Sequence, residues 1–159
     1  MNIAMLGSGF IGRFYANSLQ GYRSMDKIVS IYSRREESSR KFADDYAVGF
    51  STTDMEAAIN RPDVEVVCIA LPNNLHEEAV MLCCKHKKAV ITTKPLGRNG
   101  AEALRMLLAV EKAGIFNGYL EDLVYTPKFI KAHESVNNGA LGRILWAKSR
   151  ETHPGPHSN

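Results

Sequence analysis

The stretch Ile3-Ala4-Met5-Leu6-Gly7-Ser8-Gly9-Phe10-Ile11-Gly12 decides the fold. Its apolar start reads as a buried strand, its spaced glycines as a tight turn, and the run over 11–20 as a helix. A strand, a turn and a helix start are the parts of a dinucleotide-binding site. Gly7 permits the turn, Gly9 lets a pyrophosphate approach the backbone, and Gly12 lets helix and strand pack closely. Free N–H groups at the helix start, together with its dipole, favour an anion. Gly7, Ser8, Gly9, Phe10, Ile11 and Gly12 are therefore expected to hold a diphosphate. The competing reading is a glycine turn with no ligand, and the placement between strand and helix favours the site.

Outward from this stretch, the apolar period alternates between strand and helix types. Strands are predicted over 3–6, 28–32, 48–50, 64–71, 89–92 and 115–119, and helices over 11–20, 36–46, 55–60, 75–86 and 101–113. Asp54, Asn99-Gly100 and Gly114 punctuate the helix ends, and Arg61-Pro62 closes the third helix. Short, continuously apolar strands such as Val64-Glu65-Val66-Val67-Cys68-Ile69-Ala70 suit a parallel sheet covered on both faces. The expected class is α/β, a doubly wound parallel Rossmann sheet in the order 3-2-1-4-5-6 over residues 1–120. Residues 121–159 read as the incomplete beginning of a second, α+β, substrate domain. They carry a helix over 127–138, a loop over 139–143, a strand over 144–149 and a Pro/Gly-rich end.

Composition narrows the class. A chain of 159 residues, 45% hydrophobic, fits one domain with part of another. No apolar run approaches the roughly 18 residues needed to span a bilayer, and the glycines interrupt any signal peptide, so neither a membrane nor an export route is expected. The net charge of +3 is spread along the chain. Its densest cluster, Lys85, Lys87 and Lys88, reads as a solvated helix end, and no nucleic-acid partner is expected. Cys68, Cys83 and Cys84 lack metal-ligand spacing, so they read as small core residues in a reducing, cytoplasmic compartment, with no metal site.

The second predicted strand ends in Ser33-Arg34-Arg35, with no acid before Glu36. A carboxylate at this place would accept from a ribose 2′-hydroxyl, whereas arginine accommodates a 2′-phosphate. Ser33 can donate to a phosphate oxygen, and the Arg34 guanidinium can bond it and stack on adenine. NADP is favoured, with NAD as the alternative. The plainer reading is that both arginines begin a solvated helix that Glu36 and Glu37 partly neutralise.

The chain resembles the Gfo/Idh/MocA oxidoreductases along essentially its whole length. The resemblance rests on the glycine turn, Ser33-Arg34, Pro72-Asn73-Asn74-Leu75-His76 after the fourth strand, Lys94-Pro95 after the fifth, and Gly139-x-Leu141-Gly142-x-Ile144. It implies that Leu71, Pro72, Asn73 and His76 border the nicotinamide ribose. It also implies that Lys94 reaches both that ribose and the substrate hydroxyl, as the catalytic group, from a partly desolvated site. Without the family, Asn73 reads as a helix cap and His76 as an exposed first-turn residue. Two departures from the family pattern stand out. Thr93 precedes Lys94 where a glutamate is common, and Glu121-Asp122 follow the sixth strand where an arginine is common. Glu121 reads equally as a substrate-bonding group or a solvated loop residue, and His153 and His157 as the edge of a substrate pocket or a plain linker.

The activity so implied is NAD(P)-dependent hydride transfer to or from a carbinol of a sugar or polyol. Second-domain residues are missing, so little turnover is expected from this chain by itself; homo-oligomer formation stays open. The alternative is a non-catalytic NAD(P)-binding sensing or interaction module.

Overall fold

A computed structural model describes residues 1–21, 25–121, 123–150 and 152. The chain divides into two compact units, Met1–Glu121 and Asp122–Asn159. In the first, strand β1 (Asn2–Leu6) feeds helix α1 (Phe10–Gly21), followed by β2 (Lys27–Tyr32), α2 (Glu36–Tyr46), β3 (Ser51–Thr52) and α3 (Met55–Ile59). The chain then crosses to the other side of β1 for β4 (Val66–Ile69), α4 (His76–Lys85), β5 (Ala89–Thr93), α5 (Gly100–Ala113) and β6 (Asn117–Leu120). All neighbouring strands are parallel, in the order β3-β2-β1-β4-β5-β6. This is the doubly wound sheet expected from the sequence.

The apolar strands are explained by burial on both faces. Successive side chains of β1 alternate: Ala4 and Leu6 join one core with Val67, Ile69, Ala79, Val80, Cys83, Met106 and Val110. Ile3 and Met5 join the opposite core with Ala16, Ile28, Ile31, Phe42 and Cys68. Helix ends follow local chemistry. Asp54 accepts from the Ala57 N–H and Asn99 from the Glu102 N–H, both at 3.0 Å, while Gly114 closes α5 in the left-handed region at φ 64°.

Several boundaries differ from expectation; the sixth strand, for one, is Asn117–Leu120 rather than 115–119. The third strand lies at Ser51–Thr52 rather than 48–50, because α2 ends on Ala47 in the left-handed region and the Val48 N–H still bonds Ala43 O. The fourth is shorter than 64–71, although Val64 remains in the core. A 3-10 turn, Asn73–Leu75, precedes α4.

In the second unit, a short 3-10 turn (Leu123–Tyr125) precedes α6 (Pro127–Asn137), which Pro127 opens at its first turn. The strand expected over 144–149 is not formed. Among the described residues of this unit the segment has no ladder to join, and Leu145 and Trp146 are exposed. Among the described residues, no helix is long and apolar enough to cross a membrane.

Candidate functional site

The strand order reverses between β1 and β4, and the glycine turn sits at that reversal, the place where open α/β sheets bind ligands. The Gly7 N–H donates to Tyr32 O at 2.9 Å, tying the turn to the end of β2. Gly7 has φ 113°, and a Cβ there would collide with Ala70 O at the end of β4. A Cβ at Gly12 would collide with Gly7 O, so the helix closes onto its own turn. Gly9 differs: nothing lies within 4 Å of the Cβ it lacks. The first α1 bond runs from Arg13 N–H to Gly9 O at 3.0 Å, which leaves the N–H groups of residues 10–12 ahead of the ladder. An open approach over Gly9, unused donors and a helix dipole make this donor set fit a diphosphate.

The turn and the end of β2 are bonded side chain to side chain. Ser8 Oγ donates to Ser33 Oγ at 2.8 Å, so Ser33 accepts one hydrogen and keeps its own for another acceptor. Arg34 is exposed at the same edge. Glu36 is engaged by Arg40 at 2.6 Å, one turn further along α2. The Ser8–Ser33 bond was not evident from the sequence, since nothing in a linear spacing of 25 residues signals it.

Register places the remaining candidates on this same carboxyl edge. Leu6 pairs with Tyr32 and Ile69, Ile69 with Thr92, and Thr93 with Leu120. Leu71-Pro72-Asn73, Lys94 and Glu121 therefore leave the sheet side by side. Pro72 and Asn73 are exposed, with Leu71 and Glu121 half-buried. The capping role for Asn73 does not occur: the residue ahead of α4 is Leu75, with no capping side chain, and Asn73 contributes only its carbonyl to the His76 N–H. Lys94 is exposed in this unit, where a partly desolvated lysine was expected; its neighbour Thr93 is buried, and the Lys94–Pro95 bond is cis.

His76 departs furthest from expectation. Its ring is 0% exposed, neither a surface first-turn residue nor open to a ligand. Nδ1 lies 2.9 Å from Pro95 O and Nε2 2.9 Å from Leu71 O. A signal was available in the sequence: residues 76, 79, 80 and 83 form the buried stripe of α4 at helical spacing. Glu102 is also buried and accepts from Arg98 through both the backbone N–H and Nε, each at 2.8 Å. The Arg98 side chain is the main cause holding the Glu102 carboxyl below its ordinary value of 4.5. His153 and His157 lie outside the described residues. Among the described residues, no cluster of three or more His, Cys, Asp or Glu could hold a metal.

Comparison with known proteins agrees with this geometry. Residues 1–118 match the family model described as an oxidoreductase family with an NAD-binding Rossmann fold. The chain is 32% identical to the myo-inositol 2-dehydrogenase of Thermotoga maritima, over 98% of its own length and 47% of that protein. It is 32% identical to the levoglucosan dehydrogenase of Pseudarthrobacter phenanthrenivorans, over 91% of its length and 39% of that protein. A solved structure of levoglucosan dehydrogenase in complex with NADH superposes with a TM-score of 0.84 at 29% identity, covering 91% of this chain and 41% of that one. The chain thus spans less than half the length of these relatives. It belongs to the Gfo/Idh/MocA oxidoreductase family and carries that family's Rossmann fold.

Proposed function

We propose that this chain is the coenzyme-binding part of a dehydrogenase that moves hydride between a nicotinamide and a carbinol carbon of a sugar- or cyclitol-like substrate, with NADP preferred over NAD. The observation that carries the reading is the open glycine turn at the strand-order reversal, bonded through Ser8 to the Ser33-Arg34 end of β2. The relatives named myo-inositol 2-dehydrogenase and levoglucosan dehydrogenase support the substrate class.

Each residue has a task in this reading. The N–H groups of residues 10–12 hold the diphosphate, and Ser33 and Arg34 take the 2′-phosphate on the adenosine ribose. The other mononucleotide half then lies toward β4 and β5, where Leu71, Pro72 and Asn73 line the nicotinamide ribose and Asn73 offers both a donor and an acceptor. A bound nicotinamide supplies the carbon that gains or loses hydride. Lys94 Nζ donates to the substrate oxygen and stabilises negative charge as it develops there, and Glu121 accepts from a neighbouring hydroxyl.

Calorimetric titration of the chain with NADPH and NADH tests this. NADPH is expected to bind more tightly, and Arg34→Ala to cost about tenfold for NADPH but little for NADH, as loss of one charge-assisted phosphate bond predicts. Equal loss for both coenzymes would remove Arg34 from the phosphate site. Absence of binding to either would end the proposal.

A further inference from the structure

We propose that His76 is a positioning residue: it touches no ligand and sets the spacing between the two loops that hold the nicotinamide half of the coenzyme. This rests on the coenzyme reading above and adds a residue whose role is indirect. The ring stands between both loops, within hydrogen-bond distance of a carbonyl from each. One nitrogen sits 2.9 Å from Leu71 O, in the loop after β4, and the other 2.9 Å from Pro95 O, in the loop after β5. Main-chain oxygens only accept, so a neutral ring donates to one carbonyl and packs against the other, and both are bonded together only when each nitrogen carries a hydrogen. The ring itself is fully buried, and the two carbonyls belong to half-buried residues.

The geometry gives this brace leverage. His76 is the first residue of α4, and its own N–H bonds Asn73 O, so ring and backbone together fix the Leu71-Pro72-Asn73 turn. The other carbonyl belongs to the residue next to Lys94. That loop is held again at Arg98 by Glu102, with Gly97 packed so tightly that a Cβ would lie 2.9 Å from the Ala103 nitrogen. The Lys94 backbone therefore stands just ahead of two anchors, at Pro95 and Arg98, while its exposed side chain keeps its reach. Without the ring, the loops after β4 and β5 lose their shared reference. The glycine turn and Ser33-Arg34, which hold the adenosine half, bond elsewhere and keep theirs.

That asymmetry separates positioning from general destabilisation. In the 159-residue chain, His76→Ala is expected to weaken NADPH about tenfold, the scale of one or two lost hydrogen bonds. Binding of 2′,5′-ADP, which lacks the nicotinamide half, should change by less than about twofold. Added imidazole should recover part of the NADPH affinity by refilling the cavity. Equal weakening of both ligands, or unchanged affinity for both, overturns the proposal. His76→Gln, which can reach one carbonyl, should fall between wild type and His76→Ala, and it carries the same comparison if His76→Ala does not fold. Amide NMR of the ligand-free chain gives an independent reading. The substitution should shift residues 71–73 and 94–96 together while 8–12 stay in place; shifts confined to α4 count against the brace. Should the wild-type chain bind neither nucleotide, the coenzyme reading fails and the NMR result alone decides the brace.

Discussion

A methyl group added at Gly12 meets the Gly7 carbonyl, whereas one added at Gly9 meets nothing within 4 Å. The sequence assigns them different tasks, an open approach at Gly9 and close packing at Gly12, and the space around each differs in the same sense. Gly12→Ala should cost about 2 kcal/mol of stability, because backbone rather than a flexible side chain must move. Gly9→Ala should change stability by less than about 0.5 kcal/mol, the scale of a helix N-cap exchange. It should still weaken NADPH binding by about tenfold or more, since the methyl occupies the diphosphate's approach. Urea unfolding and calorimetric titration of both variants check this; an unstable Gly9→Ala chain would mean that Gly9 serves packing. The glycine spacing was legible in the sequence because each position answers to a local rule of turn geometry. His76 was legible only in part. Its helical spacing with Ala79, Val80 and Cys83 marks burial, but the two carbonyls it meets come from loops whose proximity depends on the completed sheet.

Helix ends carry the next level of prediction. Helix α2 closes on Ala47 at φ 53°, a conformation that costs an L-residue about 1 kcal/mol relative to glycine. Ala47 is exposed, so Ala47→Gly removes that strain without opening a cavity. It should stabilise the chain by about 0.5 kcal/mol after glycine's greater freedom in the unfolded chain is counted. A lowered urea midpoint would contradict this. The same residue explains why the third strand begins later than its apolar pattern suggests. Val48 is buried by the turn that leaves α2, so its hydrophobicity signals burial and not strand. Residues 144–149 are the converse case: β-type residues with no partner strand among the described residues of their unit do not form a ladder.

At the start of α5, Glu102 provides a pH prediction. Its carboxyl is held below its ordinary 4.5 mainly by the Arg98 side chain and then by the Arg98 N–H. Its stabilisation is therefore complete above about pH 4.5 and fades as pH falls through the lowered value. Glu102→Gln should be less stable at pH 7 and lose less between pH 5 and pH 3 than the wild type, measured by urea midpoints. Parallel curves would assign the acid sensitivity to other carboxylates.

The sheet is flanked by two cores, and each contains a buried thiol that reports on its opening. Cys68 on β4 belongs to the core with Ile3, Met5 and Phe42, and Cys83 on α4 to the core with Leu6, Val67 and Val80. Burial pushes both thiols up to about 12, while Cys84 is half-buried and raised in the same direction by burial. The sequence alone gave all three the same core reading; Cys84 separates because it faces off the buried stripe of α4. At pH 8 only about one part in ten thousand of a pKa-12 thiol is ionised, so reaction of Cys68 and Cys83 requires the protein to open. Cys84 should therefore react first with a disulfide reagent. Cys68 and Cys83 should then react slowly and at equal rates, because each core shares β1 and β4 with the other and neither can open without disrupting those strands. NADPH at about 100 times its dissociation constant should slow both by about a hundredfold, since it binds only the closed sheet. Mass spectrometry of labelled peptides separates the sites. Different rates for Cys68 and Cys83 would mean that the two faces of the sheet open independently. Equal rates unaffected by a nucleotide that titration shows to bind would mean that it binds away from the strand-order reversal, on an element that stays formed when the sheet opens.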